Sequence, residues 1–385
     1  MKYLCSIPWT GFSNEPDGRV QPCCLYKGYI EEDGTPLYIQ THSVEEIFHS
    51  RFMKELREQF RNGEKPVGCS VCWRDEENKY DSKRIIYNNI HKTFDIDYKE
   101  EPINITEFQL IINNSCNLKC RSCTPSHSSQ WQQEIKMITG STGYEMPYGQ
   151  SANETGKLWT ERFNWYKNLK RLEVVGGEPF YVKQWHIMIN ELIDLKYSKN
   201  IDITMTTNCT LFYPELIEKM SKNFKSVSIG LSIDGIGSVY EYIRHPGKWS
   251  MTYANMKQYY AYVEKINIQV NITISWLNAL ELPKLHKLIY DEFPKFKIWN
   301  NIVHSPAHLS IWAIPKNFKI DVENSWKQFD WKQDYKNTIS SILNFMNSDS
   351  ITNTQFIENL EIIYKTDKFR NENLSESIPE IKKYL

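Results

Sequence analysis

Short apolar runs alternate with amphipathic stretches along the chain from about residue 100 onwards. This alternation predicts β-strands that are each followed by a helix, and therefore a parallel sheet. The predicted strands lie at residues 108–114, 172–175, 201–206, 226–232, 268–275 and 298–303. The predicted helices between them include residues 182–195, 214–223, 251–264 and 280–293. Six β/α repeats predict an α/β fold built on a partial (β/α)6 TIM-like barrel.

The two ends of the chain and one internal stretch do not follow this alternation. Residues 1–100 contain clustered cysteines, turns and one clear helical pattern at 44–61. From residue 317 the chain is predicted to be helical, with a polar break at 347–353. Residues 139–158 are polar and rich in Gly, Ser and Asn, which predicts a surface insertion able to close over the barrel. The expected organisation is a small cysteine-rich domain at 1–100, a barrel at 101–316 and a helical C-terminal extension at 317–385.

The overall composition restricts the location and the partners of the protein. The chain has 385 residues, of which 41% are hydrophobic, and its formal net charge is −1. So balanced a charge lacks the electrostatic footprint of a protein that binds duplex nucleic acid or a membrane surface. No apolar run approaches the roughly 18 residues that a membrane span requires, and the first residues make a poor signal peptide. A cytoplasmic location is therefore expected.

The cysteines form two groups along the chain. The sequence has nine cysteines, and only Cys209 stands outside the groups. Clustered cysteines in a cytoplasmic protein of this size bind metals more often than they form disulfides. The first group consists of Cys5, Cys23, Cys24, Cys69 and Cys72, and the second of Cys116, Cys120 and Cys123.

The second group directly follows the first predicted barrel strand, with the spacing C-x3-C-x2-C. Thiolates are soft ligands that suit iron–sulfur clusters, and three of them on a four-iron cluster leave one iron open to a small molecule. A zinc site that lacks one ligand, or a chance spacing, is the alternative interpretation. In this context the spacing resembles the signature of the radical S-adenosylmethionine (radical SAM) superfamily. The resemblance makes Cys116, Cys120 and Cys123 the ligands of the cluster that binds SAM.

The resemblance implies an oxidoreductase-like enzyme with a 4Fe–4S cluster and SAM as cofactors. In this superfamily a reduced cluster donates an electron to SAM, and the cleavage yields a 5′-deoxyadenosyl radical that abstracts a hydrogen atom from the substrate. An external donor of the flavodoxin or ferredoxin type would supply the electron. No catalytic side chain is assigned beyond the cluster ligands.

Further matches to the superfamily stand where predicted barrel strands end, which is where barrel active sites lie. Gly-Gly-Glu-Pro follows the second strand, Thr-Thr-Asn-Cys ends the third, and Ser-Ile-Asp-Gly ends the fourth. The resemblance implies SAM contacts from Gly176, Gly177, Glu178, Pro179, Thr207, Asn208, Ser232, Asp234 and Arg244. A simple β-turn at the first motif and a surface salt bridge at Arg244 are the alternatives.

Two positions depart from the superfamily pattern. Cys209 stands where the family has glycine after Thr-Asn, and it is expected to be a small buried residue rather than a ligand. Ser122 stands before the third cluster cysteine, where the family often places an aromatic residue that packs on adenine. The adenine contacts are therefore expected to come from elsewhere in the chain.

The first cysteine group resembles part of the SPASM and twitch auxiliary-cluster domains. Twelve residues separate Cys5 from Gly18, four more separate Gly18 from Cys23, and a C-x2-C pair comes later. These domains usually follow the barrel, whereas here the match precedes it. A structural four-cysteine zinc site uses similar spacings and is the alternative. The resemblance implies an auxiliary 4Fe–4S cluster on Cys5, Cys23, Cys69 and Cys72, with Cys24 as a candidate substitute ligand.

The resemblance leaves several substrates open. The first interpretation is an enzyme that modifies a peptide or protein, which is the commoner use of this auxiliary architecture. The alternative is a dehydrogenase or epimerase that acts on a small molecule such as a sugar or a nucleotide. A non-catalytic iron–sulfur or zinc scaffold is an alternative of another class. Glu178, Asp234, His245 and His304 could face the barrel cavity, but none of them is assigned as a general acid or base.

Overall fold

The computed structural model describes residues 3–77, 81–141, 156–304 and 306–385. Most of the predicted insertion at 139–158 lies outside the described residues. The described chain divides into two compact units. Unit 1 contains the residues up to 115, together with 156–205 and 214–227. Unit 2 contains 116–141, 206–213 and the residues from 228 to the C-terminus.

The strands predicted for the barrel are present, each within a few residues of its predicted bounds. They are β5 Glu107–Leu110, β6 Arg171–Val174, β7 Asp202–Thr207, β8 Ser226–Ser232, β9 Asn267–Ile274 and β10 Lys297–Ile302. Shorter strands precede them, namely β1 Gly11–Asn14, β2 Val20–Gln21, β3 Glu31–Glu32 and β4 Thr35–Pro36. The last two form a separate antiparallel hairpin.

The helices of the first half of the chain are α1 Ile7–Thr10, α2 Val44–Phe48, α3 Arg51–Arg61, α4 Ser70–Glu77, α5 Lys83–Ile90, α6 Ser129–Thr139, α7 Lys157–Thr160, α8 Arg162–Tyr166 and α9 Lys183–Asp194. Those of the second half are α10 Pro214–Asn223, α11 Gly237–Ile243, α12 Trp249–Tyr260, α13 Leu282–Glu292, α14 Lys316–Trp326, α15 Gln333–Met346, α16 Asn353–Asn359, α17 Glu361–Arg370 and α18 Leu374–Ser377.

The strands of unit 1 lie in the order β7-β6-β5-β1-β2. Strands β5, β6 and β7 pair in parallel, as predicted for successive barrel strands. Strand β1 pairs in parallel with β5, and β2 pairs antiparallel with β1. The ring of Phe108 on β5 lies 4.7 Å from that of Phe12 on β1, measured between centroids. The sequence did not predict β1, because all four of its residues are buried and no polar alternation marks it.

The helix predicted at 44–61 is two helices, and the prediction of a single one is wrong. The Ser50 hydroxyl accepts the N–H of Met53 at 3.4 Å and so begins α3. Ser43 begins α2 in the same way, with Glu46 completing a reciprocal capping box. A serine at a helix N-terminus satisfies a backbone N–H that has no partner within the helix. Ser50 therefore marks a break that the apolar periodicity does not show.

Unit 2 contains the parallel strands β8, β9 and β10 and the helices that follow them. Along β9 the apolar residues are buried and alternate with half-buried polar ones such as Asn271 and Thr273. This period of two gives the strand one apolar and one polar face. Helices α14 to α18 form the predicted helical C-terminal region, with the predicted break between α15 and α16. The mixed α/β class with parallel strands is therefore confirmed.

Candidate functional site

The cluster loop, which we define as residues 116–123, carries the three predicted ligand cysteines. Cys116 and Cys120 are buried, and Cys123 is partly buried and packs against them around Leu118. Two backbone N–H groups hold the loop in place: Lys119 donates to the carbonyl of His245 and Arg121 to that of Ile243, both at 2.8 Å. The structure thus gathers the three thiols of the second cysteine group in one place.

Hydrogen-bond donors are directed at the sulfur atoms of this loop. The Sγ of Cys116 lies 3.4 Å from the backbone N–H of Leu118 and 3.9 Å from the side-chain amide nitrogen of Asn208. The Sγ of Cys120 lies 3.8 Å from a guanidinium nitrogen of Arg244. Donors of this kind stabilise thiolate ligands and tune the potential of iron–sulfur clusters. The donor set therefore suits a cluster held by thiolates.

Burial makes the thiols of Cys120 and Cys123 difficult to ionise, because it raises the pKa of each. It raises the pKa of Cys123 to about 12, with the neighbouring Cys120 adding to the shift. Burial also raises the pKa of Cys120, against the opposing effect of Arg244. A bound metal reverses this preference, because coordination deprotonates a thiol outright. The loop is thus a site whose sulfur atoms become charged when they ligate a metal.

A network of side chains joins the cluster loop to the end of β7. The amide of Asn208 donates to Asn117 of the loop at 2.8 Å, and Asn117 donates to the hydroxyl of Thr210 at 2.8 Å. Asn208 in turn accepts the Thr210 hydroxyl at 2.6 Å. The Thr207 hydroxyl accepts the N–H of Cys209 at 3.2 Å. Asn117 and Thr210 were not predicted as site residues, because Asn117 occupies an unspecified position of the cysteine motif and Thr210 lies just after the Thr-Thr-Asn-Cys motif.

Cys209 adopts a left-handed backbone conformation, with φ of 62°. This conformation favours glycine, the residue that the family pattern has at this position. The side chain is fully buried, and its Sγ lies 3.9 Å from the carbonyl of Thr252. Asn255 donates to the Cys209 carbonyl at 2.9 Å and so supports the strained backbone. Cys209 is thus a small buried residue, as the sequence predicted, and its surroundings do not suggest that it is a metal ligand.

We expect Cys209→Ala to leave the iron content per chain unchanged. Alanine keeps a Cβ in the left-handed conformation and loses only the buried sulfur, which costs about 1 kcal/mol of unfolding free energy. Iron assay of the reconstituted variant beside the wild type is the measurement. Loss of iron on this single replacement would contradict a purely structural role for Cys209.

Arg244 and Asp234 form a buried ion pair beside the cluster loop. Guanidinium and carboxylate are 2.9 Å apart, and the aspartate side chain has no solvent exposure. Burial raises the pKa of Asp234, whereas Arg244 and the N–H of Thr273, which lies 2.7 Å from the carboxylate, lower it. Burial alone would lower the pKa of Arg244, but Asp234 and Cys120 raise it above its usual value. The pair places one guanidinium nitrogen toward Asp234 and another toward the sulfur of Cys120.

Asn278 fixes the strand ends next to this pair. Its amide donates to the backbone carbonyls of Asp234 and Thr273, both at 2.9 Å, and its oxygen accepts the N–H of Ser275. Ser232, at the end of β8, lies opposite Asn271 of β9. Asn278 is therefore a positioning residue for these two strand ends.

The Gly-Gly-Glu-Pro motif lies in unit 1, directly after β6. Gly176 and Gly177 have φ values of 82° and 55°. A Cβ on Gly177 would lie 2.4 Å from the carbonyl oxygen of Ser115, and one on Gly176 would lie 2.5 Å from Ile111. The Glu178 N–H donates to the same Ser115 oxygen at 2.9 Å. The glycines are therefore required because the backbone approaches the residues that immediately precede Cys116 in the chain.

The carboxylate of Glu178 is fully buried and accepts the N–H of Phe180 at 3.1 Å. Pro179 begins the short 3-10 helix Pro179–Tyr181 that carries this N–H.

The two histidines that the sequence offered as cavity residues, His245 and His304, each contact a side chain of the C-terminal helical region. His245 contacts Glu372 at 2.6 Å, and the ring of His304 packs against that of Phe345.

A cavity of about 220 Å³ adjoins the cluster loop within unit 2. Its lining is mainly apolar and includes Cys123, Pro125, Trp131, Ile135, Leu309 and Ile362. The indole N–H of Trp131 donates to the carbonyl of Cys123 at 3.1 Å, which holds the ring beside this cysteine. Ser122 offers no aromatic surface here, whereas Trp131 presents an aromatic ring in the wall of this cavity.

The cysteines of the first group lie together in unit 1. Burial raises the pKa of Cys5 well above its usual value, and Cys23, Cys69 and Cys72 each raise it further. Burial, followed by Cys24, raises the pKa of Cys23 to about 11. Thiols influence one another's ionisation in this way only when they are close in space. The thiols at positions 5, 23, 69 and 72 of the sequence are therefore neighbours in the fold.

Cys24 differs from the other members of this group. It is exposed, and the ammonium of Lys83 lies 3.0 Å from its sulfur. Helix α5, which carries Lys83, also fixes the segment next to Cys5. Arg84 and Asn88 both donate to the Leu4 carbonyl at 2.8 Å.

Within the ranges that the structure describes, no three His, Cys, Asp or Glu side chains are placed to hold a single metal ion.

Two family models match the chain, and together they cover both cysteine groups. The radical SAM superfamily model matches residues 110–274. The SPASM model, an iron–sulfur cluster-binding domain, matches residues 5–73 and so lies before the barrel strands. No curated protein matches the chain.

Solved structures of low similarity also match. Native anSMEcpe with bound AdoMet is 17% identical with a TM-score of 0.39, and the match covers 60% of this chain and 62% of that one. SuiB from Streptococcus suis bound to S-adenosylmethionine is 14% identical with a TM-score of 0.32, covering 87% and 65%. This chain thus spans about three fifths of the length of anSMEcpe. The family models and the two cysteine groups agree: the chain contains a radical SAM domain at residues 110–274 and, before it, a SPASM iron–sulfur cluster-binding domain at residues 5–73.

Proposed function

We propose that this protein is a radical SAM enzyme that abstracts a hydrogen atom from a peptide or protein substrate. One observation carries the proposal: the cluster loop gathers three thiols, and donors from Asn208 and Arg244 point at two of them. When bound, a 4Fe–4S cluster and SAM supply the electron and the carbon radical of the superfamily. Cys116, Cys120 and Cys123 would hold the cluster and leave one iron for SAM.

The chain's own residues bind and orient the cofactor in this proposal. Asn208 and Arg244 donate hydrogen bonds toward the ligand sulfur atoms, and Asn117 keeps the loop tied to the end of β7. Arg244 is suited to a SAM carboxylate because a guanidinium presents paired donors. Its partner Asp234 holds it in place. Glu178, Thr207 and Ser232 stay proposed SAM contacts on the strength of the superfamily resemblance.

We place the adenine of SAM in the cavity beside Cys123. The cavity is mainly apolar and has an indole in its wall. An aromatic face and an apolar enclosure are what a purine ring requires, and stacking on a base contributes about 1–3 kcal/mol. Trp131 thus takes the part that an aromatic residue at position 122 has in related sequences. The apolar walls also keep water away from the cofactor.

Trp131→Leu is expected to weaken SAM binding about tenfold, because it removes the stacking face and keeps an apolar side chain. Equilibrium titration of the reconstituted protein with SAM measures the effect. Trp131→Phe is the matched control, since it keeps a ring but loses the N–H that bonds to the Cys123 carbonyl. Equal loss in both variants would assign the effect to the hydrogen bond and contradict the stacking role.

We assign an auxiliary 4Fe–4S cluster to Cys5, Cys23, Cys69 and Cys72. The mutual effects of these thiols on their pKa values and the SPASM match support the assignment. With four cysteine ligands no iron is open, so the cluster would transfer electrons or stabilise its domain. The exposed Cys24, paired with Lys83, is a substitute ligand at most. About four irons with one zinc per chain would instead indicate a structural zinc site here.

An external donor of the flavodoxin or ferredoxin type is the proposed source of electrons. A small-molecule dehydrogenase or epimerase is the second candidate for the activity, and a non-catalytic scaffold is the third. The ion pair between Arg244 and Asp234 and the hydrogen-bond donors around the cluster loop support a working SAM site, because a scaffold does not require groups that bind SAM.

Among the helices of the described ranges, none has the length and apolar character that a membrane span requires.

The test of the substrate class uses a cell extract from the organism that encodes the chain, divided by ultrafiltration. Each fraction is added to the reduced holoenzyme with SAM, and 5′-deoxyadenosine is measured. A peptide or protein substrate predicts stimulation by the retained fraction that disappears after protease treatment. Stimulation by the filtrate alone would overturn the peptide assignment in favour of a small molecule.

A further inference from the structure

We propose that Asp367 and Glu372, close to the C-terminus, are positioning residues that hold the cluster loop in its ligating conformation. This inference rests on the proposed function, since it concerns the same loop. With Arg370, these residues form what we call the C-terminal clamp. They are neither cluster ligands nor part of a strand-end motif, and the family models do not extend to them.

The carboxylates of the C-terminal clamp bind Arg121, which lies between the second and third ligand cysteines. One guanidinium nitrogen of Arg121 lies 2.5 Å from Asp367 and 2.7 Å from Glu372. The Arg121 side chain is only 2% exposed, and those of the two acids are 8% and 17% exposed. Arg121 is thus a buried cation whose position is set by two carboxylates from the end of the chain.

Neighbouring groups fix the acids themselves. The hydroxyl of Tyr242 donates to Asp367 at 2.8 Å, and the guanidinium of Arg121 lies 3.7 Å above the Tyr242 ring. The second oxygen of Asp367 accepts the N–H of Leu374 at 2.8 Å. His245 contacts Glu372 at 2.6 Å. Each carboxylate therefore binds Arg121 through one oxygen and a second partner through the other, Leu374 for Asp367 and His245 for Glu372.

A second set of contacts ties the clamp to another residue of the loop. Arg370 donates to the Lys119 carbonyl at 2.8 Å and to the Glu134 carboxylate at 2.6 Å. Glu134 also pairs with the ammonium of Lys119. The C-terminal clamp therefore contacts the loop on both sides of Cys120, at Lys119 and at Arg121.

The buried charges of Arg121, Asp367 and Glu372 explain why these contacts fix the position of the loop. Removing one partner of a buried ion pair leaves the other charge without compensation, which is strongly unfavourable. Without its carboxylates the buried charge of Arg121 favours loop conformations that expose the guanidinium to water, against the backbone hydrogen bonds and the Tyr242 carbonyl that hold it. Groups that orient metal ligands in this way typically change metal affinity by 10–100-fold when they are replaced.

The test compares Asp367→Asn/Glu372→Gln with the wild type after full reconstitution. Glu361→Gln is the matched control, because Glu361 lies on the same helix and makes an exposed pair with Lys365. The readout is the rate at which an iron chelator removes iron. We expect about four irons to leave at least tenfold faster from the double variant, while the auxiliary iron leaves at the wild-type rate. The control variant should behave as the wild type.

Equal acceleration of iron loss from both sites would overturn the inference, since it would indicate general destabilisation. Unchanged rates in the double variant would overturn it as well. Glu372→Gln alone is the milder variant and keeps the assay informative if the double variant does not fold. Arg121→Lys should restore part of the protection that Arg121→Met loses. A wild type that binds no cluster on this loop would refute the proposed function itself, which separates that failure from failure of the clamp.

Discussion

Replacing Cys116, Cys120 and Cys123 together by alanine is expected to remove about four iron atoms per chain and all SAM cleavage. The three thiols lie in one loop, and donors point at two of the sulfur atoms. Alanine provides no ligand, and the cluster would be left without a covalent attachment. The first cysteine group lies in the other compact unit and should keep its iron.

Two measurements check this result: iron assay, and chromatography of 5′-deoxyadenosine after reduction in the presence of SAM. Cys209→Ala is the control, because it removes a buried cysteine that the structure places outside both groups. Retention of all iron by the triple variant would refute the assignment of the cluster to this loop. Loss of iron from both sites would show that the loop supports the fold of the whole chain.

Arg244→Met is expected to lower the free energy of unfolding by about 3–5 kcal/mol. The side chain of Asp234 has no solvent exposure, and without its partner it becomes an unpaired buried charge. Arg244→Met combined with Asp234→Asn should recover most of this loss. The asparagine is neutral, and its side-chain oxygen can still accept the Thr273 N–H, which bonds to the Asp234 carboxylate in the wild type. Denaturant or thermal unfolding of the three proteins measures the effect.

The same pair of variants separates stability from SAM binding. Hydrogen bonds to a charged group contribute about 1.5–3 kcal/mol, so loss of the guanidinium should weaken SAM binding at least tenfold in both variants. Recovery of stability in the double variant without recovery of SAM affinity is the expected outcome. Full recovery of both would restrict Arg244 to a structural ion pair and contradict the SAM contact that the superfamily resemblance implies.

The barrel strands could be predicted because their apolar runs and turn residues are local signals. The end of the first one could not be predicted. We expected it to continue to residue 114, but β5 ends at Leu110. The side chain of Asn14 forms hydrogen bonds with both backbone groups of Ile111: it donates to the carbonyl at 2.8 Å and accepts the N–H at 3.0 Å. A residue 97 positions away therefore ends the strand, and no local pattern shows it.

The gathering of Cys116, Cys120 and Cys123 in one loop was predictable because their spacing is specific. The surrounding residues were not, since their roles arise from contacts across the chain. Arg121 is an unremarkable arginine in the sequence, and its partner Asp367 is 246 positions away. Arg244 could be named from its motif, but its buried pairing with Asp234 follows only from the structure. Motif residues are thus visible in the sequence, whereas the groups that position them are not.

The most direct test of the central claim is SAM cleavage by the protein without any added substrate. The holoenzyme, reconstituted with iron and sulfide under strict exclusion of oxygen, is reduced with dithionite in the presence of SAM. The account predicts that 5′-deoxyadenosine and methionine appear in equal amounts and that neither forms in the triple cysteine variant. A fully loaded wild-type protein that yields no 5′-deoxyadenosine would contradict the account and favour a non-catalytic scaffold.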